Sequence, residues 1–161
     1  MKDVFTLTSE SLAGQATEVE IFGDAGGQNI SPHLAWRHAP TGTKSFAITM
    51  HDPDAPTGSG WWHWLVTDIS VDQSFLVEGA GDPAADLAPP KVVQSLNDYG
   101  TYGYGGPCPP PGHGIHEYKI TVYALNVDSL GLSKDTNPAV VGFNIWANTL
   151  AKASIVTYYE R

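Results

Sequence analysis

The chain has 161 residues, the size of one ordinary domain, and a chain of that length buries about 70% of its unfolded surface without a metal or disulfide staple. Its formal net charge of −9 comes with only eight basic residues, which leaves no basic stripe for a nucleic acid or an anionic membrane. The single cysteine excludes an internal disulfide and a cysteine-cluster zinc site. We therefore expect one domain over residues 1–161. No apolar run approaches the roughly 18 residues of a membrane span. Lys2 and Asp3 charge an N-terminus that lacks an apolar signal core. The expected location is cytoplasmic as the sequence is written, or periplasmic if a leader was removed.

In chain order, most apolar segments alternate with period two. A short strand is expected at 4–8. A clear one follows at 44–52, with Phe46, Ile48, Met50 and Asp52 on one face and Ala47, Thr49 and His51 on the other. Two prolines and two glycines then break the ladder over 52–60. The next strand, 61–69, sets Trp61, His63, Leu65 and Ile69 opposite Trp62, Trp64 and Val66. From 100 to 114, ten of fifteen residues are Gly or Pro, which makes a long shaped loop. The strand at 116–127 lines His116, Tyr118, Ile120, Val122 and Ala124 along one side. Asn137 as N-cap and Pro138 at the first helical position predict a helix to about residue 150. A strand at 154–159 closes the chain. The pattern reads as a mostly antiparallel β domain with one or two peripheral helices.

The alternation breaks at strand ends. Asp52, His63, His116 and Tyr118 stand where apolar residues belong, and a buried unpaired carboxylate or imidazole costs several kcal/mol. These groups must therefore pair with each other, with backbone or with a ligand. Convergence on one polar pocket, with the two Gly/Pro-rich loops at its mouth, is one reading. The other is that Asp52 caps its turn and the histidines satisfy local backbone; spacing alone leaves both open.

The residues also carry a resemblance. Asn29-Ile30-Ser31-Pro32-His33-Leu34-Ala35-Trp36 with Gly42 to Phe46, then Asp52-Pro53-Asp54-Ala55-Pro56 before Trp62-His63-Trp64, then Gly105-Gly106-Pro107-Cys108-Pro109-Pro110 before His116-Glu117-Tyr118, stand in the order of three motifs. They resemble the phosphatidylethanolamine-binding protein family, in its bacterial and archaeal Raf-kinase-inhibitor-like branch, over nearly the whole chain. The resemblance implies a large central antiparallel sheet with a smaller sheet and peripheral helices. It also implies a small pocket for phosphate or a phosphorylated head group, with Asp52, Asp54, His63, Gly106, Pro107, His116 and Tyr118 as ligand-binding residues. It implies regulatory inhibitors among the relatives. No cofactor, metal or catalytic residue is expected: His51, His63, His113 and His116 with Asp52 and Asp54 could supply ligands of zinc type, but no His-x-x-x-His or Glu-flanked helical pair is present. Glu117 stands where the family commonly has Arg, and strand alternation turns it outward.

Physically, two imidazoles, a tyrosine hydroxyl and loop amides would offer donors to a phosphate, with Asp52 orienting a histidine and favouring its protonated form. The expected partner is a phosphorylated small molecule or phosphate-like anion; a protein partner and a homodimer remain open, and nucleic acid is not expected. Hydrolase chemistry at the His/Asp/Tyr pocket, or kinase or protease inhibition through protein contacts, are the alternatives. Against the first, Ser59 lacks the leading glycine of a nucleophile elbow. Cys108 sits between Pro107 and Pro109, away from any helix N-terminus. Most of the five tryptophans read as core, with Trp61 the candidate surface residue; His33 and His38 read as surface or cap residues.

Overall fold

The computed structural model describes residues 3–161; Met1 and Lys2, with the charge read at Lys2, lie outside them. Among the described residues eight strands form two antiparallel sheets. The smaller contains β1 (Thr6–Thr8), β2 (Leu34–Arg37) and β5 (Phe75–Leu76), in the order β1-β2-β5. The larger contains β3 (Ser45–Asp52), β4 (Trp61–Ser70), β6 (Val93–Gln94), β7 (His116–Leu125) and β8 (Thr149–Tyr159), in the order β6-β4-β3-β7-β8. The mostly-β class with a large and a small sheet is the expected one. The pairings β2–β5 and β4–β6 went unpredicted because strands of two to four residues carry too few alternations to read.

The sheets close on a common core. Leu7, Leu34 and Trp36 of the small sheet meet Phe46, Ile48, Met50, Trp64, Val66, Ile69, Ile120 and Val122 of the large one. The other face of the large sheet is covered by the one α-helix, α1 (Pro138–Asn148), whose Val141 and Ile145 pack on Ala47, Leu65 and Leu125. Each such side chain contributes about 1.5–3 kcal/mol on burial. Helix α1 starts as expected, with Asn137 Oδ1 accepting from Val140 N at 3.0 Å. It ends two residues early because Thr149 turns extended and β8 begins at once. Strand β8 begins five residues earlier than expected, and four of these, Thr149, Ala151, Lys152 and Ala153, pair with β7.

Strand β4 departs from strict alternation. It is bulged twice against β3: between the partners of Phe46 and Ile48, where Asp68 takes a φ of 59°, and between those of Met50 and His51. Each bulge flips the side-chain phase. Trp64, Val66 and Ile69 consequently share the main core while Trp62 and Leu65 face the α1 layer. This replaces the sequence grouping of Leu65 with Ile69 and of Trp62 with Trp64. The tryptophans divide accordingly: Trp36 and Trp64 are buried, Trp61 and Trp62 half-buried, and the exposed one is Trp146 at 73%.

Candidate functional site

Antiparallel pairing of β3 with both neighbours brings the C-terminal end of β3 beside the N-terminal ends of β4 and β7. Asp52, the last residue of β3, thus meets His63 near the start of β4 and His116 and Tyr118 at the start of β7. Asp52 is 3% exposed, His63 2%, His116 1% and Tyr118 0%. A cavity of about 210 Å³ opens among Asp52, His63, His116, Trp61, Tyr99, Cys108, Pro109 and Pro110, with Ala55, Pro56 and Thr57 of the β3–β4 loop on its rim. Larger grooves of about 720 and 600 Å³ lie under the 82–94 loop and beside α1, and neither includes an imidazole.

The hydrogen bonds fix what each group can still do. Asp52 Oδ1 accepts from Asp54 N at 2.8 Å, and Asp52 Oδ2 accepts from His116 Nδ1 at 2.7 Å. His116 Nε2 in turn meets His113 Nδ1 at 2.7 Å, so one proton is shared between two nitrogens. A neutral His116 accepts it there, and a cationic one donates it. Asp52, His116 and the exposed His113 form a continuous chain from the cavity to solvent. His63 Nδ1 donates to Gly105 O at 2.7 Å, which leaves Nε2 of the neutral ring as an acceptor. Burial pulls His63 down to about pKa 4, against the Gly105 bond and the nearby Asp52 charge. His63 is therefore neutral near pH 7, and the histidine that Asp52 orients is His116.

Tyr118, expected as a ligand-binding residue, lies behind the cavity wall and is not among its lining residues. Its hydroxyl is buried without a hydrogen-bond partner, and its ring sits against His63 at 5.2 Å and His116 at 6.3 Å. Burial, then the charges of Asp52, Tyr99 and Cys108, push the phenol above its ordinary pKa, so it remains a donor. Trp61 Nε1 is a second buried donor without a partner.

The Gly/Pro loop behaves differently from expectation. Gly105 N donates to His63 O at 2.9 Å and Gly106 N to Asn29 Oδ1 at 2.7 Å. Those amides are spent on holding the loop and are not available to an anion. Gly106 is needed for close approach, since a Cβ there would lie 2.0 Å from Glu20 O. Its carbonyl accepts from Tyr99 Oη at 2.8 Å. Pro107 O accepts from Phe22 N at 2.9 Å. Gly106 and Pro107 thus back the wall without lining it. Asp54 also lies outside the lining: its Oδ2 accepts from Glu117 N at 2.8 Å and ties the β3–β4 loop to β7. The Glu117 side chain is exposed, as alternation required. Gly60, with φ of 70°, closes that loop where a Cβ would meet Asp52 O at 2.5 Å.

Sequence reading missed Trp61, Tyr99, Cys108 and the prolines as lining, and His113 and Asn29 as supports. Tyr99 reaches the cavity from a loop with no alternation to read, stacked on Phe22 at 4.1 Å and edge-on to His63 at 5.5 Å. Asn29 takes a φ of 56°, a conformation Asn adopts more readily than most residues. Among the described residues no three His, Cys, Asp or Glu side chains are grouped to hold a metal ion, and no helix is long and apolar enough to cross a membrane.

Two sheets closed on one core, with an Asp/His/Tyr cavity where three strand ends meet, define a small ligand-binding β protein. The family model described as phosphatidylethanolamine-binding protein matches residues 8–160, and the chain belongs to that family. It is 42% identical over 160 residues to the UPF0098 protein YbcL of Escherichia coli, covering 97% of this chain and 87% of that one. It is 46% identical to YbhB of the same organism, over 83% and 84% of the two chains. The crystal structure of E. coli YbcL, described as a new member of the mammalian PEBP family, superposes with a TM-score of 0.94 over 98% of each chain.

Proposed function

We propose that the cavity binds the phosphoryl group of a small molecule, and that the protein acts as a regulatory or inhibitory binder through the occupied site. The observation that carries this reading is the Tyr118 hydroxyl, buried and without a partner beside Asp52, His63 and His116. An unsatisfied buried donor costs about 1–3 kcal/mol, a cost that a ligand oxygen reaching past the cavity wall, between the His63 and His116 rings, removes. Tyr118 donates to that oxygen. Asp52 holds His116 through Nδ1, and Asp54, Gly106 and Pro107 keep the loops in place around it.

The neutral His63 sets the ionisation of the ligand. Its Nε2 accepts a proton from a phosphoryl oxygen, or takes one from water and then donates it. A phosphate monoester has its second pKa near 6, so both routes bind one more proton in the complex than a dianion and empty cavity hold apart. Affinity then falls as pH rises through and beyond about 6. Titration calorimetry with inorganic phosphate and phosphoethanolamine, between about pH 5.5 and 8, tests this. Phosphoethanolamine binding that weakens about tenfold per pH unit above 6 is expected, with inorganic phosphate, which keeps its second proton longer, weakening from a higher pH. Affinity independent of pH, or no binding at either end, rejects it.

A further inference from the structure

We propose that the outer face of the large sheet carries a second ligand site, a groove beside α1 that takes a single carboxylate amphiphile of the fatty-acid type. Strand register builds it. His51 stands opposite Lys119 and Thr49 opposite Thr121 across β3 and β7, and Tyr123 stands opposite Lys152 across β7 and β8. Opposed side chains share a face, and this face is the one on which α1 packs at Ala47, Leu65 and Leu125. The helix covers only part of it. A hollow of about 600 Å³, within the range of small-molecule sites, runs from Ile145 and Trp146 of α1 over Trp62 and Tyr123 to Lys152. A smaller one of about 110 Å³ continues it to Lys119 and Thr121. The two share Thr49, Trp62, Tyr123 and Lys152, and neither shares a residue with the Asp52 cavity. The proposal therefore does not rest on the phosphoryl reading.

The ends of the groove differ in chemistry. One is apolar, formed by Trp62, Ile145, Trp146 and Leu150, and Trp146 is 73% exposed there. The other holds the exposed Lys119 and Lys152. The chain has 17 acidic residues against eight basic ones. Yet among the described residues no Asp or Glu lines either hollow, and neither lysine joins an ion pair. Tyr123 Oη accepts from Thr49 Oγ1 at 3.4 Å, which leaves its own proton for a ligand oxygen. Two uncompensated ammonium groups beside an aromatic trough complement an anion that carries an apolar tail.

The two ends act differently on such a ligand. Exposed ion pairs are weak, so the lysines select the sign of the head group. Methylenes laid over the indoles supply the affinity as apolar surface leaves water. The net charge of −9 opposes a bilayer of anionic lipid, whereas a single amphiphile meets only the local charge.

The test titrates the folded chain with monomeric dodecanoate, followed by calorimetry and by the indole N–H NMR signals of Trp62 and Trp146. Both signals should shift, and octanoate should bind at least tenfold more weakly. Dodecyltrimethylammonium should bind more weakly than dodecanoate, although the protein as a whole attracts cations. Lys119→Gln combined with Lys152→Gln should weaken dodecanoate at least fivefold. Gly142→Leu fills the apolar end, where a Cβ meets only the Trp62 ring, at 3.9 Å; it should weaken dodecanoate at least tenfold. Phosphoethanolamine should not displace the amphiphile. No binding of dodecanoate, preference for the cation, affinity that ignores chain length or the lysines, or shifts confined to other indoles overturns the proposal. So does binding to phosphatidylglycerol vesicles in place of the monomer, or a dimer that Trp146→Ala dissociates, either of which gives the face to a different occupant. A protein that binds dodecanoate in this way but no phosphoryl compound keeps the groove site and rejects the phosphoryl reading instead.

Discussion

Replacing Tyr118 by Phe removes one oxygen and leaves the ring in its place between His63 and His116. Because that hydroxyl has no partner, the change deletes an unpaid desolvation penalty of about 1–3 kcal/mol. A gain of about 1 kcal/mol, the lower end of that range, is the expected size. For a domain of 150–250 residues that corresponds to a rise in Tm of about 2–4 °C. Ligand affinity should move the other way. A hydrogen bond to a charged group is worth about 1.5–3 kcal/mol, so phosphoethanolamine should bind roughly 10- to 150-fold more weakly. Calorimetric melting and titration of the same two samples read both quantities. A variant that loses more than about 1 kcal/mol shows that the hydroxyl was already satisfied in the folded protein. One that binds as tightly as before shows that the hydroxyl does not meet the ligand. Stability and affinity moving in opposite directions is the signature of a group kept for binding.

Other expectations follow from the same geometry. His63 has a folded pKa of about 4 against 6.5, so the unfolded chain binds the extra proton between those values. Stability should therefore fall by about 3 kcal/mol as pH drops from 6.5 towards 4; urea midpoints across that range check it, and a His63 NMR titration near 6.5 contradicts it. His63→Ala leaves Gly105 O without its donor and should cost about 2–4 kcal/mol by urea denaturation, besides weakening the ligand. Asp54→Asn should weaken the tie to Glu117 N and cost about 1 kcal/mol while leaving ligand affinity within a few-fold, since Asp54 does not line the cavity. His113→Ala should shift the His116 Nε2 resonance by removing its 2.7 Å partner, with stability changed by less than about 0.5 kcal/mol because His113 is exposed.

The long central strands were legible because a buried face forces period two, and the start of α1 because Asn137 and Pro138 leave few alternatives. The same logic exposed Asp52, His63, His116 and Tyr118, since a polar residue at a core position costs energy unless it has a purpose. Their neighbours were illegible. Tyr99 and Cys108 come from loops whose path is set by distant anchors such as Asn29 and Arg161, and no local pattern records an anchor 77 residues away, as with Asn29 and Gly106.

Local stereochemistry therefore determined the strands, the helix cap and the positions that violate the apolar pattern, because each depends on residues close in the chain. Only the tertiary structure decided the two bulges that re-aim Trp62 and Leu65, and the single contact through which Gly105 makes His63 an acceptor. It also decided that the glycine-rich loop spends its amides on itself. Those outcomes depend on which backbone atom lies opposite a given side chain once the sheet has closed, and that is a property of packing.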